Sequence, residues 1–263
     1  QGIPSCCGQC DLFVGVHGCG DSRPRTSWLY RYIVERTTIG IALADFNVME
    51  QILAGSGLEW LVSRPVTLAE HQASRWIAEP LRLLDCCQES DGAVAVVVTS
   101  LDRARDLRHP PAVIRAAAQG AGPDQFTMTS YYRDDLAALP EMGLVGAQLW
   151  RQAAITRADI RTAILYDHFT PYVLIQLEEL GFCGPGEARD FIAGGAIELG
   201  GRLPVNPHGG QLGEAYIHGM NGIAEGVRQV RGTSVNQVDN ADHVLVTGGT
   251  GVPTSALMLG KDS

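Results

Sequence analysis

Arg161-Thr-Ala-Ile-Leu-Tyr166-Asp-His-Phe-Thr170-Pro171-Tyr-Val-Leu-Ile-Gln-Leu-Glu-Glu-Leu-Gly181 changes its periodicity once, and that change decides the fold. Thr162-Ala-Ile-Leu165 is a short apolar run that leads into Tyr166-Asp-His-Phe169. Thr170 then offers a side-chain N-cap, and Pro171 a first helical residue whose φ is already set. Val173, Leu174, Leu177 and Leu180 fall on one helical face, and Gly181 is placed for left-handed termination. The stretch therefore predicts a strand handing over to a helix, with Tyr166 at the handover. In open α/β sheets ligands bind at that end of the strands, which makes Tyr166 the first candidate functional residue.

Further units surround it. Asn206-Pro-His208-Gly209-Gly210 is a turn-rich loop, and Ile223, Val227 and Val230 form a helical stripe closed by Gly232. Tyr216 and His218 fall between that loop and that helix. His243–Val246 and Ser255–Leu259 read as a strand pair joined by the glycine-rich Thr247-Gly248-Gly249-Thr250-Gly251. Upstream, Ala93-Val-Ala-Val-Val-Val98 follows a polar turn and predicts a central strand. Ser100 opens a short charged helix through Leu107, and Pro110-Pro111 mark a boundary. Helical spacing recurs at Ser27–Glu35 and Asn47–Ala54, whereas residues 1–27 read as irregular loop.

Composition narrows the function classes. The chain has 263 residues, 45% hydrophobic and 19% charged, with a formal net charge of −9. It has no Lys/Arg block, so it lacks the basic footprint that a nucleic acid or an anionic membrane requires. The longest clean apolar run is too short to span a bilayer and no leader-like segment precedes it, so a cytoplasmic protein is expected. Cys86, Cys87 and Cys183 lie in apolar segments, as small reduced hydrophobes do, and the total of seven Cys is odd; a disulfide framework is not expected. Cys7, Cys10, His17 and Cys19 could offer soft ligands to zinc, but they lack a second well-spaced pair, and the reading is no metal.

His243-Val-Leu-Val-Thr-Gly-Gly-Thr-Gly251 resembles a dinucleotide-binding glycine loop, yet its context is wrong. The fingerprint needs a helix and a further strand with an acidic residue, and position 254 is Thr where a third Gly would fall. Met49 to Pro65 also resembles a segment of short-chain-reductase-like proteins, which keeps a reductase as a minor alternative; the expectation is no bound cofactor.

Arg64-Pro-Val-Thr-Leu-Ala-Glu-His-Gln72, Glu79-Pro-Leu-Arg-Leu-Leu-Asp-Cys-Cys87 and Asp91-Gly92 are similar to segments of lipid-transfer-protein thiolases of the sterol-carrier branch. Asp167, Phe169-Thr170, Gln176–Cys183, Asn206–Gly210 and Glu225–Gly232 continue the resemblance from Pro65 to the carboxy terminus. It implies a thiolase-like α/β fold in which helices flank a mixed five-stranded sheet. Residues 106–263 would be the carboxy-terminal thiolase domain, residues 65–105 the last part of an incomplete amino-terminal half, and residues 1–64 a segment of uncertain fold.

The resemblance also locates departures. Where thiolases carry an Asn-Glu-Ala-Phe motif whose Asn holds a water, this chain has Tyr166-Asp167-His168-Phe169. Where the family's catalytic His follows the Gly-Gly loop, this chain has Tyr216, with His218 two residues later followed by Gly219 rather than Pro. Val246 and Thr247 occupy the place of the second catalytic Cys, and the nucleophilic Cys belongs to a half that the chain does not match. Claisen chemistry needs a thiolate and a base that are missing at their places. Two phenols can still move protons in a retro-aldol step, and the pattern resembles the steroid side-chain aldolases of this branch.

The resemblance thus implies a carbon–carbon lyase acting on a β-hydroxyacyl-CoA with a steroid ring, coenzyme A entering only as part of the substrate. Tyr166 would take the hydroxyl proton and Tyr216 supply a proton to the enolate, or the reverse, helped by a positive charge on His218, His208 or His168. Asn206, His208, Gly209, Gly210, Gly248 and Gly249 are the candidates for substrate and oxyanion contacts, or for shaping the loops. A homodimer, or a hetero-oligomer with an OB-fold and zinc-ribbon protein, is the expected assembly. The alternatives are a non-catalytic thiolase-like scaffold and a conventional acetyl-CoA acyltransferase.

Overall fold

The structure, a computed structural model, describes residues 67–87, 90–122, 138–250 and 254–262. The expected helices at Ser27–Glu35 and Asn47–Ala54, the Cys7/Cys10/His17/Cys19 cluster and Gly251 lie outside the described residues. In chain order, the described part begins with α1 (Leu68–Ala73) and a small hairpin of β1 (Trp76–Ala78) and β2 (Leu81–Arg82). Then come α2 (Leu101–Arg105), β3 (Ala112–Gly120), α3 (Pro140–Ala153), β4 (Thr162–Ile164) and α4 (Pro171–Glu179). The remainder is α5 (Ala188–Ile192), α6 (Gly210–Gly213), α7 (Met220–Arg231), β5 (His243–Gly248) and β6 (Thr254–Lys261).

The main sheet runs β3-β6-β5-β4, antiparallel except for the parallel β4/β5 pair. This is the mixed sheet expected from the sequence, with four regular strands; beside β4 a fifth place is held by one parallel bridge, Ala163 to Val205. Side chains alternate across the sheet. Leu245 and Met258 join Met142, Val145 and Leu149 of α3 and Leu177 of α4 in one core layer. Val244, Val246 and Leu259 point the other way, onto Ala224, Val227 and Val230 of α7. Both faces of the sheet are therefore covered by helices, which is why its strands read as continuous apolar runs.

The deciding stretch folds as its periodicity indicates. α4 starts at Pro171, and Gly181 adopts φ +75° just past its end. The Phe182 N–H donates to Leu177 O at 3.0 Å and the Gly181 N–H to Glu178 O at 2.9 Å, so the last carbonyls are satisfied by a Schellman closure. Thr170 departs from expectation: it makes no side-chain cap, and its hydroxyl donates to Asp85 Oδ1 at 2.7 Å instead. That bond, with the Cys86–Phe169 bridge and the Cys87 N–H to His168 O at 2.9 Å, joins the segment after the hairpin to the end of β4.

Ala93–Val98 is a second departure. It is not a strand of the main sheet; Val94 and Val96 pack against the α7 core layer, while Val97 and Val98 are 38% and 58% exposed. The run is covered on one side among the described residues, so a continuous apolar stretch here does not mean burial on both faces.

Candidate functional site

Tyr166 lies two residues past the end of β4 and is 7% exposed. Its main chain is held by a closed ring of three hydrogen bonds. The Tyr166 N–H donates to Thr247 Oγ1 at 2.8 Å, the Thr247 hydroxyl donates to Gln176 Oε1 at 2.6 Å, and Gln176 Nε2 returns to the Tyr166 carbonyl at 2.9 Å. Thr247 lies near the end of β5, the strand paired with β4, and Gln176 sits inside α4, so sheet and helix together fix where the phenol emerges.

Tyr216 comes from the opposite side, after α6. Its hydroxyl lies 3.1 Å from the Tyr166 hydroxyl and 3.4 Å from His218 Nδ1. The two phenol rings meet edge to face, 6.4 Å between centroids at 67°. Tyr216 is half-buried and His218 exposed, so the row of three groups leads from the interior to the surface. His218 has φ +47°, a left-handed conformation that a non-glycine residue seldom adopts and that functional sites favour. Gly219, at φ +82°, lies under the Tyr166 ring; a Cβ there would come within 3.1 Å of Tyr166 Cδ2. This is why glycine and not proline follows His218.

The neighbouring loop is shaped by Asp167. Its carboxylate is buried and accepts the Gln211 N–H at 2.7 Å. Gly210 has φ +66°, and a Cβ on it would overlap the Asp167 carboxylate, so the second glycine of the loop is a steric requirement of this bond. Burial pushes the Asp167 carboxyl up to about 6, although hydrogen bonds from Gln211 and other backbone amides oppose it. Burial likewise pushes Glu214 up to about 7, against the pull of its Asn221 hydrogen bond and the nearby Arg228.

The remaining candidates separate into two groups. Asn206, at φ +49°, uses its amide on the main chain of Leu165: the Leu165 N–H donates to Oδ1 at 2.7 Å, and Nδ2 donates to Leu165 O at 2.9 Å. Gly209, at φ +104°, caps α6. Gly248 accepts the Ser255 hydroxyl at 3.0 Å through its carbonyl, and Gly249 has φ +75°. Burial depresses the imidazole of His168 to about 4, and burial with help from Arg228 depresses that of His208 to about 3. Neither ring is charged near neutrality, which removes both as sources of positive charge for a phenol; the His168 ring packs on that of Tyr166, 5.1 Å between centroids, whereas His218 reaches the Tyr216 hydroxyl through Nδ1. Burial, reinforced by the Tyr216 hydroxyl, pushes the Tyr166 phenol well above its ordinary value.

Sequence reading found both phenols and His218 but missed Gln176, the hydroxyl of Thr247, Gln211 and Thr250, whose hydroxyl is 3.2 Å from His168 Nε2. Only Thr247 left a signal, as the residue at the vacated cysteine place.

The chain is similar to known proteins. Residues 124–260 match the family described as thiolase C-terminal domain-like. The chain is similar to a 17-hydroxy-3-oxo-4-pregnene-20-carboxyl-CoA lyase of Mycobacterium tuberculosis, 74% identical over 76% of this chain and 52% of that protein. It is similar to a steroid side-chain-cleaving aldolase of Thermomonospora curvata, 69% identical over 77% of this chain and 52% of that protein. The chain thus spans about half the length of the curated relatives it matches. Among solved structures it resembles a chain of an Ltp2-ChsH2(DUF35) aldolase, with a TM-score of 0.75 and 53% identity, covering 93% of this chain and 69% of that one. The mixed sheet between helices, the site at the end of β4 and the family match agree: this chain belongs to the thiolase C-terminal domain-like family.

Proposed function

We propose that the protein takes part in retro-aldol cleavage of a β-hydroxyacyl-CoA bearing a steroid ring, releasing a ketone and a shorter acyl-CoA. The observation that carries this reading is the row of Tyr166, Tyr216 and His218, with 3.1 Å between the phenols and 3.4 Å from Tyr216 to the imidazole. The names of the two relatives, a carboxyl-CoA lyase and a side-chain-cleaving aldolase, support it.

The row suits a proton circuit. Tyr216 accepts the substrate's hydroxyl proton while passing its own to His218 Nδ1. The alkoxide collapses to the ketone, the carbon–carbon bond breaks, and its electron pair becomes the thioester enolate. Tyr166, whose buried phenol stays protonated, gives its proton to the enolate carbon. The phenolate left on Tyr166 is reprotonated by Tyr216, which recovers a proton from His218. No proton is gained or lost over the cycle, as the net reaction requires. Of the two assignments open from the sequence, burial of Tyr166 favours the one in which Tyr216 faces the hydroxyl.

In this reading Asn206, Gly209 and Gly210 position the loops, and Gly248 and Gly249 offer main chain to the thioester. Residues 65–105 are assigned to the end of an amino-terminal half and 106–263 to the carboxy-terminal domain, the latter supported by the family match at residues 124–260. We assign the chain to a hetero-oligomer with a DUF35-type partner, supported by the name of the similar solved aldolase. Thiols rather than disulfides at Cys86, Cys87 and Cys183 fit a reducing cytoplasm, and among the described residues no helix is long and apolar enough to cross a membrane.

The test incubates the protein, alone and with its DUF35-type partner, with a steroid-bearing β-hydroxyacyl-CoA and follows ketone release. Release that is lost in Tyr166→Phe and Tyr216→Phe supports the reading. No release and no binding of the thioester in either preparation leaves a non-catalytic scaffold as the better account.

A further inference from the structure

Behind the Tyr166 main chain lies a cavity of about 10 Å³, lined by Asp167, His208, Gln211, Asn221, Gly219 and Thr247 among others. Among the described residues, seven buried side-chain nitrogen or oxygen atoms have no hydrogen-bond partner, and four of them belong to residues of this wall: His208 Nδ1, His208 Nε2, Gln211 Nε2 and Asn221 Oδ1. Leaving a buried polar atom unsatisfied costs about 1–3 kcal/mol. Unpaired atoms on three side chains that line one void therefore point to a partner shared by the three residues.

The chemistry of these atoms is fixed by their neighbours. Gln211 Oε1 accepts the Gly219 N–H at 3.0 Å, so the amide cannot be turned over, and Nε2 is left as a donor. Asn221 Nδ2 donates to Ala215 O at 2.9 Å and to Glu214 Oε2 at 3.1 Å, which leaves Oδ1 as an acceptor. The His208 side chain is 3% exposed, and its nearest charged neighbour, Glu214 Oε2, stands 3.7 Å from Nε2, beyond hydrogen-bond range. With both nitrogens unpaired, a neutral His208 imidazole offers one donor and one acceptor, and one of the two can meet a ligand in the void.

We infer that this cavity is a binding site for a single internal water molecule, which accepts from Gln211 Nε2, donates to Asn221 Oδ1 and pairs with one nitrogen of His208. Three bonds are the usual number for a buried water, and a void of about 10–15 Å³ is the least that holds one. A larger ligand is excluded by the volume. The site ties three segments together. Gln211 and Asn221, through their other ends, hold Gly219 N and Ala215 O, the two flanks of the segment that carries Tyr216 and His218. The water would thus brace that segment against the His208 loop. It also gives His208 a role distinct from oxyanion binding, and it does not depend on the proposed reaction.

The experiment is a crystal structure of the protein in its isolated assembly at a resolution that shows ordered solvent, for the wild type and for His208→Leu. The expected wild-type result is one solvent peak within hydrogen-bond distance of Gln211 Nε2, Asn221 Oδ1 and a His208 nitrogen. In His208→Leu the peak is lost or displaced, and the Ala215–Gly219 segment shows raised displacement parameters relative to α7. A wild-type cavity without density, or one closed by a protein side chain, overturns the inference. So does a peak unmoved in His208→Leu. Should His208→Leu fail to fold, the wild-type density decides alone.

Discussion

The hydroxyl of Tyr166, carried by the end of β4, and that of Tyr216, carried by the loop after α6, lie 3.1 Å apart although fifty positions separate them in the chain. Two phenols in direct contact are a pair for handing a proton on. Removing either hydroxyl while keeping the ring separates that task from packing. Tyr166→Phe and Tyr216→Phe are each expected to lower kcat for ketone release by about 10²–10⁴-fold with little change in KM. Steady-state kinetics on the assembled enzyme check this, and a double variant no worse than the poorer single one would show that the two act as a unit.

His218 is expected to matter through Tyr216. His218→Ala should lower kcat while leaving the circular dichroism of the protein unchanged, because the ring is exposed and packs only on Tyr216, 4.7 Å away between centroids, among the described contacts. Partial recovery on adding imidazole would identify the lost group as a proton acceptor.

The ring of bonds through Gln176 and Thr247 predicts a stability effect that a conservative change should spare. Thr247→Val removes both the acceptor for the Tyr166 N–H and the donor to Gln176, leaving buried groups unpaired. A loss of about 1–3 kcal/mol is expected in urea unfolding. Thr247→Ser, which keeps the hydroxyl, should recover most of it.

Asp167 and Gly210 should behave as one unit. Gly210→Ala is expected to destabilise the protein by more than the roughly 1–3 kcal/mol of a strained left-handed backbone, because its Cβ would overlap the Asp167 carboxylate. In a double-mutant cycle with Asp167→Ala the two losses should combine to less than their sum. Additive losses would show that the overlap is relieved elsewhere.

The buried imidazoles predict a pH dependence with a definite sign. The folded-state pKa of His168 is about 4, below its ordinary 6.5, so the folded protein binds fewer protons there than the unfolded chain. Its contribution is fully present above pH 6.5 and is lost as pH falls toward 4. Asp167, raised from 3.8 to about 6, has the opposite slope, its contribution fading as pH rises through 6. His168→Phe removes only the first. Relative to wild type, the variant should therefore gain stability as pH is lowered from 6.5 to 4 in chemical unfolding; a constant difference over that range would refute the assignment.

Much of the fold was legible because the informative signals are local. The strand-to-helix unit at Arg161–Gly181, the α7 stripe and the β5–β6 pair each carry their periodicity and their punctuation within a single stretch. β3 was not legible: beyond Val113-Ile114 the stretch Ala112–Gly120 is alanine-rich with weak strand propensity, and its extended conformation is completed by pairing with β6. Ala93–Val98 misled because β-branched residues report an extended, apolar segment and not the number of faces that are covered. At the site, the phenols were legible by their place in motifs. Gln176 and Thr247 were not, since the bond between them spans 71 positions and neither residue type marks a role by itself.

The contact between Tyr166 and Gly219 reaches beyond this molecule's stability. A Cβ on residue 219 would stand 3.1 Å from the ring, and the backbone there has φ +82°, so the close approach of the phenol and the bare α-carbon support each other. The pair can be sought in a related chain before a structure exists: a Tyr in the place of Tyr166 is expected to go with a Gly in the place of Gly219.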